Sequence, residues 1–211
     1  MSMTYKQVQD AVLADAFAES KRQSAMTWIQ FRHSWLWDLE EWSFKFATAS
    51  VTFTAGSQVA AGPSDLRTVL GLYNAQGAPV RGIRDIREFF DVANANIGNG
   101  SGPPQVYTVI GSAITVGPAG DGSTGLVVYE KTKPSLVNDG DSTGLPDGYD
   151  LALVHGGKAE GFKLSNVPIW QGFDDDFTAA ANALRRNYLT SIREAGMQQM
   201  GAFRGGSRQW R

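Results

Sequence analysis

The sequence predicts an α+β fold, in which helices from the N- and C-terminal parts of the chain form a helical bundle and a small antiparallel β domain is inserted between them. Apolar residues repeat at helical spacing near the N-terminus and again after residue 144, whereas they alternate with a period of two in the central part. A chain of 211 residues can bury enough surface to fold without disulfides. The predicted parts are a discontinuous helical bundle, an inserted β domain, a connector loop and a basic tail, at residues 1–43 with 144–200, 44–131, 132–143 and 201–211, respectively.

The N-terminal part is predicted to contain two helices. Thr4 and Gln7 have the spacing of a capping box, and apolar residues follow on one face of the first helix: Tyr5, Val8, Val12 and Ala16. The second helix carries large apolar residues at spacings of three and four: Trp28, Phe31, Trp35 and Leu39. Such a stripe is typical of a face buried in the core, which is favoured over a stacking platform for sugars or bases. His33 is predicted to be partly exposed and not a metal ligand, because no histidine or carboxylate lies four residues away.

The central part is predicted to consist mainly of strands. Small polar and apolar residues alternate from residue 46 to residue 54, as is typical of a half-buried strand. A short helix is predicted at 83–93 and a loop rich in Gly, Asn and Ser at 94–104. Gly111 and Ser112 form a tight turn between two of the four further strands, which are predicted at 66–73, 105–110, 113–116 and 125–131.

The part after residue 144 is predicted to form two consecutive helices. Leu145, Pro146 and Asp147 make a helix entrance, and three acids at 174–176 are predicted to start the second helix, where negative charge favours the exposed N–H groups. One apolar stripe runs along this second helix: Phe177, Ala180, Ala181, Leu184, Tyr188 and Ile192. Its other side carries Arg185, Arg186, Asn187 and Arg193. A narrow stripe rich in alanine favours close helix contact, within the chain or between copies of it.

The charge distribution separates the C-terminal tail from the rest of the chain. The net charge is −2, from 19 basic and 21 acidic residues, which gives no overall support for non-specific binding to nucleic acid. Residues 201–211 carry three arginines, no acid, and the aromatic residues Phe203 and Trp210. Such a tail either frays or docks on a partner through its aromatic side chains.

Several classes of protein are excluded by composition. The chain has no cysteine, so disulfides and thiolate metal sites are absent. The N-terminus lacks the apolar core of a signal peptide, and no run of 18 apolar residues occurs. We therefore expect neither export by a standard signal nor a membrane-spanning segment.

No recognisable catalytic or cofactor site occurs in the sequence. The connector has the spacing of a calcium-binding loop at Asp139, Asp141, Thr143, Gly144, Asp147 and Asp150, but no helix precedes it, and a polar linker followed by a helix cap is favoured. The three acids at 174–176 point in different directions on a helix, unlike the facing acids of a glycosidase. Neither His33 nor His155 belongs to a nucleophile motif, and no phosphate-binding loop occurs. Neither a cofactor nor enzymatic activity is expected.

The order of these segments resembles the tailed-bacteriophage head–tail connector (portal adaptor) protein family. The resemblance covers most of the chain, and its motifs are loose one by one but agree in order and spacing. The matching stretches are Thr4-Tyr5 with Val8 and Val12, Trp28-Ile29, Trp42-Ser43-Phe44, the Gly-Pro-Ser-Asp turn at 62–65, and the step Leu145-Pro146-Asp147-Gly148-Tyr149-Asp150-Leu151-Ala152-Leu153.

The resemblance implies a structural virion protein of the neck, with no cofactor. Members of the family form a closed ring, commonly of twelve copies, that joins the portal above to a tail, stopper or nozzle protein below, and DNA passes through the middle. The tail would then dock on the portal, ordering as it does so, through Phe203, Arg204, Arg208, Trp210 and Arg211. The last helix would contact neighbouring subunits through Arg185, Arg186, Tyr188 and Arg193.

Three alternatives remain beside this interpretation. The first is a carbohydrate- or host-surface-binding virion module, although the strands contain Tyr73, Tyr107 and Tyr129 but no Trp. The second is a virion-associated cell-wall hydrolase that uses Asp174 or Asp176. The third is a stopper or tail-terminator protein, a class that is usually smaller and dominated by strands.

Overall fold

A computed structural model of the chain describes residues 2–14, 17–97, 101–111 and 113–189. The chain divides into two compact units. The first comprises residues Met1–Phe44 and Lys133–Arg211, and the second comprises Lys45–Thr132. None of the helices in the described ranges has both the length and the apolar character that crossing a membrane requires.

The first unit is built from four helices. Within the described residues these are α1 (Tyr5–Leu13), α2 (Arg22–Asp38), α4 (Asp150–Leu164) and α5 (Trp170–Leu184), and a single π-helical turn, Arg185–Leu189, extends α5. Helix α4 packs against the other three. Apolar residues at helical spacing form one shared core, whose fully buried members include Tyr5, Val8, Val12, Ile29, Leu36, Leu153, Phe177 and Leu184.

The capping box predicted at the start of α1 is confirmed. The Thr4 side chain accepts from the Gln7 N–H, and the Gln7 side chain accepts from the Thr4 N–H at 2.8 Å. These two bonds satisfy donors that the first turn of a helix leaves free.

The second unit is one mixed sheet of seven strands with a helix. The strands are β1 (Phe46–Thr52), β2 (Val59–Ala60), β3 (Leu66–Tyr73), β4 (Pro79–Gly82), β5 (Val106–Ile110), β6 (Ala113–Gly117) and β7 (Thr124–Lys131), in the spatial order β1-β7-β3-β4-β5-β6-β2. Helix α3 (Ile86–Ile97) connects β4 to β5, which are parallel, whereas the other neighbouring pairs are antiparallel. A parallel pair needs a crossover connection, and α3 supplies it.

The predicted fold class, a bundle of terminal helices with a small antiparallel β domain inserted, is wrong. The helices are distributed along the chain, since α3 lies among the strands, and the strands form a seven-stranded sheet that includes a parallel pair. The prediction missed β2 and β4. Both are too short for a two-residue alternation to be recognised, and their pairing depends on residues distant in sequence.

The predicted core face of α2 is wrong in part, since Trp28 and Leu39 pack against the core but Phe31 and Trp35 are exposed. Phe31 is 58% exposed and Trp35 is 43% exposed, whereas the buried residues of this helix are Ala25, Ile29, His33, Leu36 and Trp37. Two apolar stripes run along α2, and the sequence does not say which of them meets α4. In the structure, helix α4 approaches Ile29 of one stripe at Gly157 and Trp28 of the other stripe at Gly161.

Candidate assembly surfaces

The predicted interface residues of the last helix lie only partly in the described residues. The side chain of Arg185 is 42% exposed and forms an ion pair with Glu40 at 2.9 Å. Arg186 is exposed and Tyr188 is half-buried, in the π-helical turn that extends α5. Arg193 lies outside the described residues.

Tyr188 packs inside its own unit. Its ring meets those of Phe44 and Tyr149 edge-on, each at 5.8 Å between centroids. The neighbouring Asn187 donates from Nδ2 to the Tyr149 hydroxyl at 2.6 Å. Tyr188 therefore holds the end of α5 against the start of α4, so most of its surface is not free for a neighbouring subunit.

Arg32 joins three helices of the first unit. From α2, its Nη2 lies 2.6 Å from a Glu160 oxygen on α4 and 2.6 Å from an Asp174 oxygen on α5. Its guanidinium also covers the Phe177 ring, at 4.7 Å from the centroid. The side chain of Arg32 is only 13% exposed, so these interactions are partly shielded from water.

The three acids at 174–176 do not start a helix, and that prediction is wrong. Helix α5 begins at Trp170, so the acids lie in its second turn. Asp174 pairs with Arg32, and Asp176 lies 3.4 Å from Nδ1 of His155. An acid neutralised by a guanidinium is poorly suited to act as the acid or nucleophile of a hydrolase, so the geometry gives no support to that alternative.

An exposed aromatic and acidic surface runs along α2 and past its end. We call it the α2 outer face, and it consists of Phe31, Trp35, Asp38 and Glu41. The first three lie at spacings of four and three, so they share one side of the helix. The inner edge of Trp35 packs on Phe177, with ring centroids 5.3 Å apart. Neither Asp38 nor Glu41 forms an ion pair with the described residues.

This surface runs against the prediction that the stripe of Phe31 and Trp35 is buried, and the sequence pattern does not indicate it. Trp35 is followed at the next helical positions by Asp38 and Leu39, and Leu36 is followed by Leu39 and Glu40, so both stripes lead to one acid and one apolar residue.

A second exposed apolar group lies where α4 gives way to α5. Leu164, Val167 and Ile169 are 69%, 39% and 56% exposed, respectively. They are large apolar side chains in contact with water on the first unit. Exposed apolar residues that are close together mark interaction surfaces more often than single ones do.

The residues that matched a calcium loop have other partners. The buried carboxylate of Asp150 accepts from the Met3 N–H at 2.8 Å, from the Ser2 hydroxyl at 3.3 Å and from the Thr143 hydroxyl. Asp141 accepts from the backbone N–H groups of Asn138 and Val137 at 2.7 and 2.8 Å, which lowers the pKa of its carboxyl group.

The bonds to Asp150 fasten the N-terminal segment to the start of α4, and further bonds fasten it to the connector. Tyr5 and Lys6 extend the attachment, because their N–H groups donate to the carbonyls of Asp141 and Asp139. In the part of the chain that the structure describes, no group of three or more His, Asp or Glu side chains is placed to hold a metal ion.

The prediction that His33 is partly exposed is wrong. Its side chain is buried, and its Nε2 lies 2.8 Å from the Thr143 carbonyl oxygen. A carbonyl only accepts, so Nε2 carries the proton in this bond. Burial lowers the pKa of the His33 imidazole below its ordinary value, which keeps the ring neutral.

The tyrosines considered as a sugar platform are largely covered. Tyr129 is 5% exposed and donates from its hydroxyl to Asp65 at 2.9 Å, and Tyr73 and Tyr107 are half-buried. Sugar stacking needs an open aromatic face, so this arrangement does not favour the carbohydrate-binding alternative.

The five residues of the predicted portal-docking tail, Phe203, Arg204, Arg208, Trp210 and Arg211, lie outside the described residues.

The comparisons with known proteins concern the chain as a whole. The family model of the SU10 adaptor protein matches residues 3–210, and no curated protein matches the chain. This match spans nearly the full length and confirms the resemblance found from the sequence. The chain therefore belongs to the SU10 adaptor protein family, a phage head–tail adaptor family.

Proposed function

We propose that this phage structural adaptor forms a closed ring, of twelve copies, beneath the portal of a tailed phage. The ring joins the portal to a downstream tail, stopper or nozzle protein in the neck of the virion. DNA passes through its central channel without sequence-specific binding. The observation that carries the proposal is the match of residues 3–210 to the adaptor family.

The charge balance supports a channel through which DNA moves freely. The chain is weakly acidic, and its last eleven residues, 201–211, hold a net charge of +3, so the remainder is more acidic than the total of −2. A surface that binds phosphates tightly would slow DNA during packaging and ejection. An acidic ring avoids such binding.

The exposed surfaces of the first unit support contacts between copies. A closed ring needs a heterologous contact, in which two different surfaces of each subunit meet. We propose that Arg185, Arg186 and Arg193 contribute to one of these surfaces. The apolar group at Leu164, Val167 and Ile169 contributes to the other, because it is too exposed to be explained by packing within the unit. Tyr188 stabilises the arginine surface, because it fixes the end of α5 against the start of α4.

The C-terminal tail is the proposed attachment to the portal. Phe203 and Trp210 provide aromatic anchors, and Arg204, Arg208 and Arg211 orient them on an acidic partner.

Imaging of the protein mixed with its portal tests this proposal. Cryo-electron microscopy of the purified complex is expected to show a closed ring of adaptors stacked on the portal, with an open axial channel. Attachment of isolated copies without contact between neighbours would overturn the ring, and absence of any complex would overturn the portal-binding role. A monomer in the absence of portal is compatible with the proposal, because the portal serves as the template for the ring.

A further inference from the structure

The α2 outer face places two large aromatic side chains in water without a described cover. Phe31 and Trp35 are 58% and 43% exposed, one helical turn apart. Aromatic side chains of this size dominate the energetics of interfaces when they are covered. Asp38 and Glu41 add two negative charges at the same end of the helix, and neither is paired within the described residues.

We propose that, in the protein free of portal, the α2 outer face binds the C-terminal tail of the same chain. The tail is residues 201–211, reached through residues 190–200 after the end of α5. The docking of the tail does not depend on ring formation. Its consequence for portal attachment rests on the proposed function.

The path of the chain brings the tail to this surface. Helices α2 and α5 run in the same direction, because three pairs of side chains meet at successive levels. Arg32 lies 2.6 Å from Asp174, the rings of Trp35 and Phe177 are 5.3 Å apart between centroids, and Glu40 lies 2.9 Å from Arg185. The π-helical turn therefore ends near the C-terminal end of α2, where the acids lie.

The distance that the tail must span from the end of α5 to Trp35 is small. Glu40 and Trp35 are five residues apart, which is about 8 Å along a helix at about 1.5 Å per residue. The 22 residues that follow Leu189 span up to roughly 70 Å when extended. The chain can therefore turn back and cover the α2 outer face without moving any described element.

The chemistry of the two partners is complementary. The tail has three arginines, two aromatics and no acid, and the α2 outer face has two acids, two aromatics and no base. Arg204 or Arg208 can lie on the Trp35 ring as a cation–π partner, and the guanidinium groups can pair with Asp38 and Glu41. Phe203 and Trp210 then cover the aromatic stripe.

The tail of the same chain is favoured over the tail of a second copy, because its tether gives it a higher local concentration at the α2 outer face. A tether of about 20 residues gives an effective concentration on the order of 1 mM, well above that of free adaptor in solution. The tail that docks on the portal is thus occupied, rather than disordered, until the portal competes for it. Exchange of the tail from α2 to the portal would couple attachment to exposure of the α2 outer face.

A paramagnetic label on the tail tests the proposal in the free full-length protein. The chain has no cysteine, so Ser207→Cys gives a single site for a nitroxide. We expect the side-chain indole N–H signal of Trp35 to lose most of its NMR intensity, while the signals of Trp42 and Trp170 keep more of theirs. A loss at Trp35 no larger than the losses at Trp42 and Trp170 would overturn the proposal.

Matched variants and a mixing experiment separate the possible occupants. Phe31→Ser with Asp38→Lys should restore the Trp35 signal, whereas the same changes in an exposed pair on α3, Phe90→Ser with Asp91→Lys, should leave the loss intact. The mixing experiment combines two samples: one carries the nitroxide but no isotope enrichment, and the other is isotope-enriched but carries no nitroxide. In this mixture the Trp35 signal should not broaden. Broadening of Trp35 in this mixture would overturn docking within one chain and assign the surface to a second copy. Because the portal is not in the sample, either outcome leaves the portal-binding proposal to its own test.

Discussion

Two glycines of α4 set how closely the other helices approach it. A Cβ atom at Gly161 would lie 2.5 Å from the Phe17 ring and 2.6 Å from the Trp28 ring, and one at Gly157 would lie 2.8 Å from Val12. Separations this short do not occur between packed carbon atoms, so any larger residue must push its neighbours away. The glycines therefore lower the helix propensity of α4, but they allow α1 and α2 to contact it closely.

We predict that Gly161→Ala destabilises the protein despite the better helix propensity of alanine. Overpacking against two aromatic rings should cost about 1–3 kcal/mol, more than the ~1 kcal/mol gained in propensity. Gly172→Ala on α5 is the matched control, because no atom lies within 4 Å of the new Cβ. It should stabilise the protein by about 0.5–1 kcal/mol. Urea unfolding of both variants measures the difference, and equal effects would contradict this account of α4.

A buried histidine makes the first unit sensitive to acid. Neutral His33 donates to the Thr143 carbonyl, and its folded-state pKa is lowered by burial. The unfolded chain therefore binds more protons at low pH. The contribution of His33 to stability is fully present above the ordinary histidine pKa of about 6.5 and is lost as the pH falls below it.

We predict that His33→Gln weakens this pH dependence. Glutamine can still donate to Thr143, but it does not titrate, so the free energy of unfolding should fall less between about pH 7.5 and pH 5.5 than in the wild type. Thermal unfolding at the two pH values is the measurement, and an unchanged slope in His33→Gln would show that other groups cause it.

At the scale of elements, Arg32 is the residue that ties α2, α4 and α5 together. Its side chain is shielded, and it compensates Glu160 and Asp174 at once. Removal of one partner from a shielded ion pair leaves the others desolvated and uncompensated.

We predict that Arg32→Ala costs about 3 kcal/mol of stability, because two acids lose their common partner. Arg67→Ala is the control, since the Arg67 side chain is 54% exposed in its pair with Glu130. That change should cost less than about 1 kcal/mol. Chemical denaturation at low salt compares the two, and similar losses would mean that Arg32 acts no differently from a surface residue.

The second unit shows how one element changes the whole topology. Helix α3 spans the crossover between parallel β4 and β5, and it buries Phe89 and Ala93 against the sheet. Asp85 caps this helix by accepting from the N–H groups of Arg87 and Glu88 at 2.8 and 3.0 Å. Without a connection of this length, the β4–β5 pair could not be parallel, and the antiparallel arrangement predicted from the sequence would be the simpler solution.

At the scale of the whole molecule, the tail and the folded units are expected to be separable. We predict that deletion of residues 202–211 abolishes attachment to the portal and leaves both units folded, since the core of the first unit is formed by described residues such as Tyr5, Leu153 and Leu184. The melting temperature of the free protein should fall only by the contribution of the docked tail. Co-sedimentation with portal and thermal unfolding measure the two effects. Full-strength binding by the shortened protein would contradict the role of Phe203 and Trp210 as anchors.

Much of the local structure could be predicted from the sequence, because it depends on neighbours along the chain. The capping box of Thr4, the strand at Leu66–Tyr73 and the buried positions Phe177, Ala181 and Leu184 follow from spacing alone. The burial of His33 and the exposure of Trp35 could not, because they depend on which side of α2 faces the glycines of α4. The predicted start of α5 at Asp174 is wrong, because Asp174 does not cap the helix but pairs with Arg32, which is 142 residues away in sequence.

The sequence by itself determined the family of this protein, since the order and spacing of its segments already resembled the adaptors that the family match confirms. It also determined the separation of a weakly acidic chain from a basic tail, because charge is additive and needs no fold. Only the tertiary structure decided the seven-stranded mixed sheet, the partners of Asp150 and the aromatic surface of α2. The physical reason is that pairing and burial are settled by contacts between residues far apart in the chain, and a linear pattern with two apolar faces does not say which face will be covered.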